Sequence, residues 1–365
     1  MSRSWVDIDL SALAANVRTL AALAPGAELC AVVKADAYGH GVVQVAGTAL
    51  AAGASILAVA HVDEGLVLRE AGFGEPIWVL SEPAPEEFDA AARAGLEPTL
   101  YSPAGAMAAA RVGGMSTHLK VDTGMGRVGA SPAEAVQIAR QILSSGRLAL
   151  GSVWTHLACA DDPEHPMTNQ QLDRYEEVLA EFEGAKIEVV CRHAANSAGV
   201  IAHPRSHHDV VRTGIAMYGL NPGPALVDRV ELRPVLSWKT RVGFVKRVPA
   251  GTAISYSHSQ SVATDTTIAS IPVGYADGLR RGLWNRGGAA IIGGKVRPFV
   301  GAVTMDQTMV DCGDDGVAPG QEVVLIGSQG EATITADDLA QALGTINYEI
   351  PCLIGSRVER RYLTA

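Results

Sequence analysis

In the stretch "CAVVKADAYGHG", residues 30–41, a lysine directly continues a β-branched run. A primary amine at the end of a strand, partly withdrawn from water, loses basicity and becomes a candidate nucleophile for carbonyl groups, the chemistry of a Schiff base. Four more polar side chains follow apolar runs in the same way: Lys120 and Asp122 after "THL", His156 after "SVWT" and Arg212 after "DVV". Strand ends meet water, so any one of them alone reads as a solvated group. As a set they would bring two amines, a carboxylate, an imidazole and a guanidinium to one mouth, provided the strands lie side by side and run the same way.

The pattern around them supplies that condition. After an opening helix in "SALAANVRTLAAL", apolar runs recur about every twenty to thirty residues, each followed by an Ala-rich amphipathic segment, as in repeated βα units. Eight such runs can be read: "LCAVV", "SILAVA", "PIWVL", "EPTLY", "THLKV", "GSVWTHL", "IEVVC" and "HDVVRT". Between them lie helices such as "SPAEAVQIARQIL", with Ser131 as N-cap, Pro132 at the first helical position and Glu134 at the third. Near-continuous apolar strands with crossover helices make a parallel sheet, and eight of them suit a closed (β/α)8 barrel, with an open doubly wound sheet as the rival. Beyond about residue 235 the texture changes. "LSWKTRVGFVKRV", "TTIASIPVG", "AAIIGGKVRPFVG" and "EVVLIG" are strand-like runs broken by glycine, with one helix candidate in "ADDLAQALG". The fold class expected is α/β: an N-terminal (β/α)8 barrel over residues 1–235 and a mostly β C-terminal domain over 236–365, the boundary falling near Arg233 and Pro234. In such barrels active sites are built at the carboxyl ends of the strands, where the polar set stands.

Composition narrows the function classes. The 365 residues are 48% hydrophobic and 19% charged, and the formal net charge is -10, so a compact acidic protein is expected and a nucleic-acid partner is not. The start "MSRSWVDIDL" has no apolar leader core and no run is long enough for a membrane span, which leads to an expectation of a cytoplasmic protein without a membrane partner. Five scattered cysteines without C-x-x-C spacing argue for reduced thiols and against a disulfide framework or structural zinc. Two motifs are traps. "GMGRVG", residues 124–129, fits G-x-G-x-x-G, but its inner arginine and the absence of a first-strand context speak against a dinucleotide. "HPRSHHD", residues 203–209, holds three histidines, yet the adjacent pair His207 and His208 cannot both face one metal in regular structure, so a surface loop and no metal are expected.

The chain resembles the bacterial alanine racemases, pyridoxal-phosphate enzymes whose subunit has an N-terminal barrel and a C-terminal β domain. The resemblance runs through "VVKADAYGHG", "LKVDTGMGRVG", "THLACAD", "RHAANSAG", "VRTGIAMYG", "SYSHS", "PVGYADG", "TMDQ" and "INYEIPC", in the family's order and across both halves. It implies interconversion of L- and D-alanine by two-base proton transfer at Cα of a pyridoxal 5'-phosphate aldimine, supplying D-alanine for peptidoglycan. Lys34 would carry the cofactor and act as one base. Tyr38, Ser197, Gly214, Ile215 and Tyr348 would surround the phosphate, with Asn196 also in the cofactor site. That agrees with the separate expectation that barrels bind phosphate through the loops after strands seven and eight. Arg212 would face the pyridine nitrogen and, keeping its own proton, restrain the ring as an electron sink. The resemblance makes His156 the support of Arg212, places Arg127 near the substrate carboxylate, and puts Lys120 at a position often carbamylated. Tyr256 would be the second base. It would reach the site from the neighbouring subunit together with Met305, Asp306 and Tyr275, which implies a homodimer with shared active sites.

The sequence departs from the family pattern before "MDQ", where many members have arginine and cysteine and this chain has Ala302 and Thr304. Two other readings stand beside the racemase: an amino-acid decarboxylase of related fold and the same cofactor, and a non-catalytic pyridoxal-phosphate carrier of the single-barrel type. Tyr256 speaks against the first and the long C-terminal part against the second.

Overall fold

The computed structural model describes residues 3–258 and 260–364. Ser259, which ends the "SYSHS" motif, lies outside the described residues. The chain divides into two compact units, one made of residues 12–37 and 42–233, the other of 1–11, 38–41 and 234–365.

Strands are numbered along the chain. After β1 (Ser4–Asp9) come β2 (Glu28–Val32), β3 (Ile56–Val59), β4 (Ile77–Val79), β5 (Glu97–Leu100), β6 (Met115–Lys120), β7 (Leu148–Trp154), β8 (Arg192–His193) and β9 (Val210–Thr213). Strands β2 to β9 form one eight-stranded parallel sheet in the order β9-β2-β3-β4-β5-β6-β7-β8. Between β8 and β9 the amide of Asp209 donates to Arg192 O at 3.0 Å and that of Arg212 to Ala195 O at 3.1 Å. The circle is thereby nearly closed, and the barrel expectation holds. Its helices start where the sequence says they should. Ser102 accepts from Gly105 N ahead of helix Pro103–Val112, and Ser131 precedes helix Pro132–Ser144, although its hydroxyl donates to Glu134 and caps no amide.

One strand sits elsewhere than expected. The run Ile187–Cys191 has strand propensity but forms no ladder, and Val190 in it is 70% exposed. The barrel strand is the next pair, Arg192–His193, registered so that His193 lies opposite Trp154. β-Branched content marked a segment that approaches the barrel, and the register of β7 decided which residues enter it.

The second unit continues with β10 (Leu236–Arg241), β11 (Phe244–Val248), β12 (Ala253–Ile254), β13 (Gln260–Ser261), β14 (Thr266–Ile271), β15 (Ala289–Ile292), β16 (Lys295–Pro298), β17 (Thr308–Asp311), β18 (Glu322–Gln329), β19 (Ala332–Ile334) and β20 (Glu359–Leu363). Its largest sheet has the order β16-β15-β18-β10-β1-β20, with β19 on β18, and β11-β14-β17 form a smaller one. The first strand of the chain is therefore inside this sheet, antiparallel to β10 and parallel to β20. The expectation that residues 1–235 belong together missed this, because six residues of alternating pattern do not say which sheet they join. Helix Ala336–Leu343 stands where "ADDLAQALG" placed it, with Thr335 accepting from Asp338 N and Gly344 left-handed at its end.

Candidate active site

The chain leaves β2 through Val33, whose amide donates to Ala58 O at 2.8 Å, and reaches Lys34. The next four residues are all left-handed, with φ of 54° at Ala35, 51° at Asp36, 53° at Ala37 and 54° at Tyr38. A left-handed turn costs L-residues roughly 1–2 kcal/mol each, so four in succession need to be held. Two carboxylates help to do so. Glu64 Oε1 accepts from Ala35 N at 2.6 Å while its Oε2 accepts from Ala60 N at 2.7 Å, and Asp36 Oδ1 accepts from Val42 N at 2.8 Å. Sequence reasoning saw a turn here but neither its hand nor Glu64. The only local signal was a glutamate three residues after the start of a helix, which reads as an ordinary capping residue.

Lys120 is the last residue of β6 and only 2% exposed, its Nζ 4.9 Å from the Trp154 ring centroid. Burial, then the positive charges of Arg127, Arg212 and Lys34, push its amine down to about 8. Asp122 relieves this cluster only in part, since its charge raises the Lys120 amine but does not outweigh burial and the neighbouring cations. Its carboxylate accepts from the amides of Gly124, Met125 and Gly126, which hold it below the usual carboxylate range although burial raises it. The glycine motif "GMGRVG" is thus a loop wound around a carboxylate that carries Arg127, exposed, at its tip. At Gly129 a Cβ would stand 2.7 Å from Asp122 N, so the loop closes only on glycine.

Arg212, in β9 and 2% exposed, is the centre of the barrel mouth. Its Nη1 donates to His193 Nδ1 at 2.7 Å, and its Nη2 donates to Thr155 O and Ala194 O, both at 3.0 Å, with His156 Nδ1 at 3.3 Å. Asp209, three residues before Arg212 in sequence, forms no ion pair with it and binds Arg192 instead. Burial lowers the guanidinium to about 10, still well above neutrality. Burial, and after it Arg212, Lys120, Arg127 and Lys34, hold His156 well below the ordinary imidazole range, so it is neutral and accepts through Nδ1. Ser197 Oγ accepts from Gly214 N at 2.9 Å and from Ala216 N at 3.4 Å, which gathers Ser197, Gly214 and Ile215 at the ends of β8 and β9. Asn196 is occupied otherwise. It caps helix Ser197–Ala202 through Gly199 N and donates to Leu157 O.

The remaining expected site residues belong to the second unit. Tyr38 is buried and Tyr348 half-buried, whereas Tyr256, Tyr275 and Met305 are 68%, 43% and 53% exposed and Asp306 stands open beside Arg357 at 2.7 Å. Tyr256 is flanked by left-handed Ser255 and Ser257, and Ser255 Oγ donates to Ala302 O at 2.6 Å. Tyr275 N donates to Thr304 O and Ala276 N to Met305 O, each at 3.0 Å. This stitch depends on Gly274, where a Cβ would lie 2.3 Å from both carbonyl oxygens. Of the two departures in sequence, Ala302 is engaged through its backbone, whereas Thr304 also uses its side chain, Oγ1 donating to Gln307 O at 2.8 Å and accepting from Gln307 N at 3.1 Å. A cavity of about 490 Å³ beside them is lined by Lys246, Ser255, Tyr256, Thr304 and Gln307, among others.

Two family models match, the alanine racemase N-terminal domain over residues 8–222 and the alanine racemase C-terminal domain over residues 235–362. The chain belongs to the alanine racemase family. It is 47% identical to the alanine racemase of Symbiobacterium thermophilum over 99% of this chain and 97% of that one, and 42% identical to that of Nostoc over 98% and 95%. The crystal structure of the alanine racemase from D-cycloserine-producing Streptomyces lavendulae superposes with a TM-score of 0.94 at 40% identity, covering all of this chain and 98% of that chain. That of the Bacillus anthracis alanine racemase with bound L-Ala-P gives 0.94 at 37%, covering all of this chain and 96% of that chain. As a member of the alanine racemase family, the chain is an isomerase that interconverts L- and D-alanine with pyridoxal 5'-phosphate as cofactor.

The mouth of the barrel fits that cofactor. Lys34, Lys120, Arg127 and Arg212 put four cations against one carboxylate already committed to amides, an imbalance that a phosphate-bearing anion relieves. Thr213 Oγ1 and Trp154 Nε1, at the same strand ends, are buried without a hydrogen-bond partner. Among the described residues no helix is long and apolar enough to cross a membrane, and no cluster of three or more His, Cys, Asp or Glu could hold a metal.

Proposed function

We propose that racemisation at this site uses Lys34 on one face of Cα and the partner subunit's Tyr256 on the other, in a cytoplasmic homodimer with two shared sites that supplies D-alanine for peptidoglycan. Lys34 would carry the cofactor, Tyr38, Ser197, Gly214, Ile215 and Tyr348 its phosphate, and Asn196 and His156 would complete the pocket. When bound, pyridoxal phosphate acidifies the substrate Cα–H by drawing off electron density.

The protein's own part is to orient and to move one proton. Arg127 offers a bidentate donor to the substrate carboxylate, with the partner subunit's Met305, the partner subunit's Asp306 and the partner subunit's Tyr275 bounding the space for its side chain. Inversion requires that the proton leave to a base on one face and return from an acid on the other, which one side chain cannot do alone. Arg212, protonated at working pH, does not release its proton to the ring nitrogen and so limits how far charge spreads away from Cα. Lys120, with an amine pKa near 8 and Arg127 close by, is the residue we infer to be carbamylated: the neutral amine adds carbon dioxide, loses a proton and becomes an anion facing Arg127.

The observation that carries this reading is the buried Arg212, placed among Lys34, Lys120 and His156 at one barrel mouth. Incubation of the pure protein with L-alanine, followed by chiral analysis, should show progress to a racemic mixture. Conversion to a decarboxylated amine, or no turnover at all, would overturn it.

A further inference from the structure

Behind Arg212 an unbroken hydrogen-bonded path runs through the barrel interior and uses none of the residues given a role above. Arg212 Nη1 meets His193 Nδ1 at 2.7 Å, His193 Nε2 meets Ser152 Oγ at 2.9 Å, Ser152 Oγ meets His118 Nδ1 at 2.7 Å, and His118 Nε2 meets Glu97 Oε2 at 3.1 Å. The path winds across β9, β8, β7, β6 and β5, from the carboxyl end of the barrel to the first residue of β5. It lies inside. Trp78 of β4 contacts both His118, at 4.5 Å between ring centroids, and His193, at 4.7 Å, and rings on alternate strands can meet so only across the lumen. Trp154 stacks on His193 at 5.4 Å, while Ser152 and His193 are fully buried and His118 is 2% exposed.

One fact fixes every hydrogen along it. A guanidinium nitrogen only donates, so His193 Nδ1 accepts and its proton is on Nε2. That N–H donates to Ser152 Oγ, whose hydroxyl hydrogen is left for His118 Nδ1. His118 then carries its own proton on Nε2 and donates to Glu97. All four bonds point from the guanidinium toward a carboxylate whose side chain is one-quarter exposed. Among the described residues no acidic side chain touches Arg212, so the path ends on the negative charge that the guanidinium otherwise lacks. Burial, reinforced by Arg212, keeps His193 far below the ordinary imidazole range, so the neutral tautomer persists.

We propose that Glu97, His118 and Ser152 are positioning residues for Arg212, acting through the tautomer of His193 to hold the guanidinium in the orientation it presents to the cofactor ring. The inference rests on the reading of Arg212 given above. It separates these residues from plain core fillers, because a path with a direction can be broken at any link with the same result at its end.

The test uses the ring nitrogens and the side product together. Nitrogen NMR of histidine-labelled apoprotein should show His118 and His193 each as a single, slowly exchanging Nε2–H tautomer. In Ser152→Ala the His193 Nε2–H, left without its acceptor, should lose its slow exchange and its signal should broaden. In the holoenzyme, pyruvate released per racemisation turnover, which reports transamination, should rise at least tenfold. Glu97→Leu should act in the same direction, whereas Glu97→Gln, whose amide oxygen accepts the same hydrogen, should stay close to wild type. Should Ser152→Ala fail to fold, Glu97→Leu at the partly exposed end carries both measurements. An unchanged ring spectrum, or an unchanged pyruvate yield, in a folded broken-path variant overturns the proposal. Arg212→Lys is the parallel check: if it leaves the pyruvate yield at the wild-type level, the underlying reading of Arg212 fails, whatever the ring spectra show.

Discussion

At Lys120 the electrostatics of the barrel mouth become measurable. Its amine titrates near 8 in the fold and near 10.5 when exposed, so between those values the unfolded chain holds more protons than the native one. The cost of the buried cation is therefore fully present below pH 8, and stability rises as pH climbs from 8 toward 10.5. Urea unfolding of the apoprotein in carbon-dioxide-free buffer, where Lys120 is the free amine, should show wild type gaining on the order of 2 kcal/mol relative to Lys120→Met across that window. Parallel curves would mean that the amine is not held as described. Glu64 is a second residue whose effect can be isolated. Glu64→Ala frees the amides of Ala35 and Ala60 next to the cofactor lysine, and each lost charge-assisted bond is worth about 1.5–3 kcal/mol. Borohydride reduction of the holoenzyme followed by peptide mass analysis should place the pyridoxyl group on Lys34 in wild type and give a markedly lower yield in Glu64→Ala at equal cofactor concentration. A label on another lysine would remove Lys34 from its role.

Among the elements, the left-handed turn after β2 shows where sequence reading stops. The strand before it was legible from "LCAVV", and so were seven of the eight barrel strands, because a buried parallel strand is an apolar run and little else. The hand of the turn was not, since alanine and tyrosine disfavour it, aspartate only tolerates it, and bonds to Glu64 and Asp36 help to hold it. For the same reason the seventh strand was misplaced: "IEVV" has the propensity, and "RH" has the register. The path from Glu97 to Arg212 hid inside runs read as plain strands. Only the alternation of His118 with Lys120, and of Ser152 with Trp154, hinted that one face of β6 and β7 was polar. The identities of the cofactor and substrate residues came from the family resemblance, not from periodicity. The end of the turn gives a direct test. Gly39 has φ of 79°, and a Cβ there would sit 2.4 Å from Pro351 O, a backbone atom with nowhere to go. Gly39→Ala should lower stability by roughly 2–4 kcal/mol, a drop in Tm of several degrees by calorimetry. A neutral effect would contradict the close approach.

For the molecule as a whole, the proposed sharing of sites makes a counting prediction. Lys34→Ala and Tyr256→Phe homodimers should each be nearly inactive, since every site lacks one base. Mixed dimers have one site lacking both and one site intact, so activity should return to about half of wild type per verified heterodimer. No recovery would place both bases in one subunit. The first strand raises a different matter, one of time. Trp5 pairs with Lys239 on one side and with Glu359 on the other, so this strand has no complete place in its sheet until residue 359, about 350 residues later, has been made. At ribosomal speeds of about 5–20 residues per second, that is a wait of roughly 20 to 70 seconds, during which Trp5, Val6 and Ile8 are open to any neighbouring nascent chain. Asp7 and Asp9, spaced along the same six residues, place charge in that apolar run, the pattern that opposes pairing of an exposed strand with other chains.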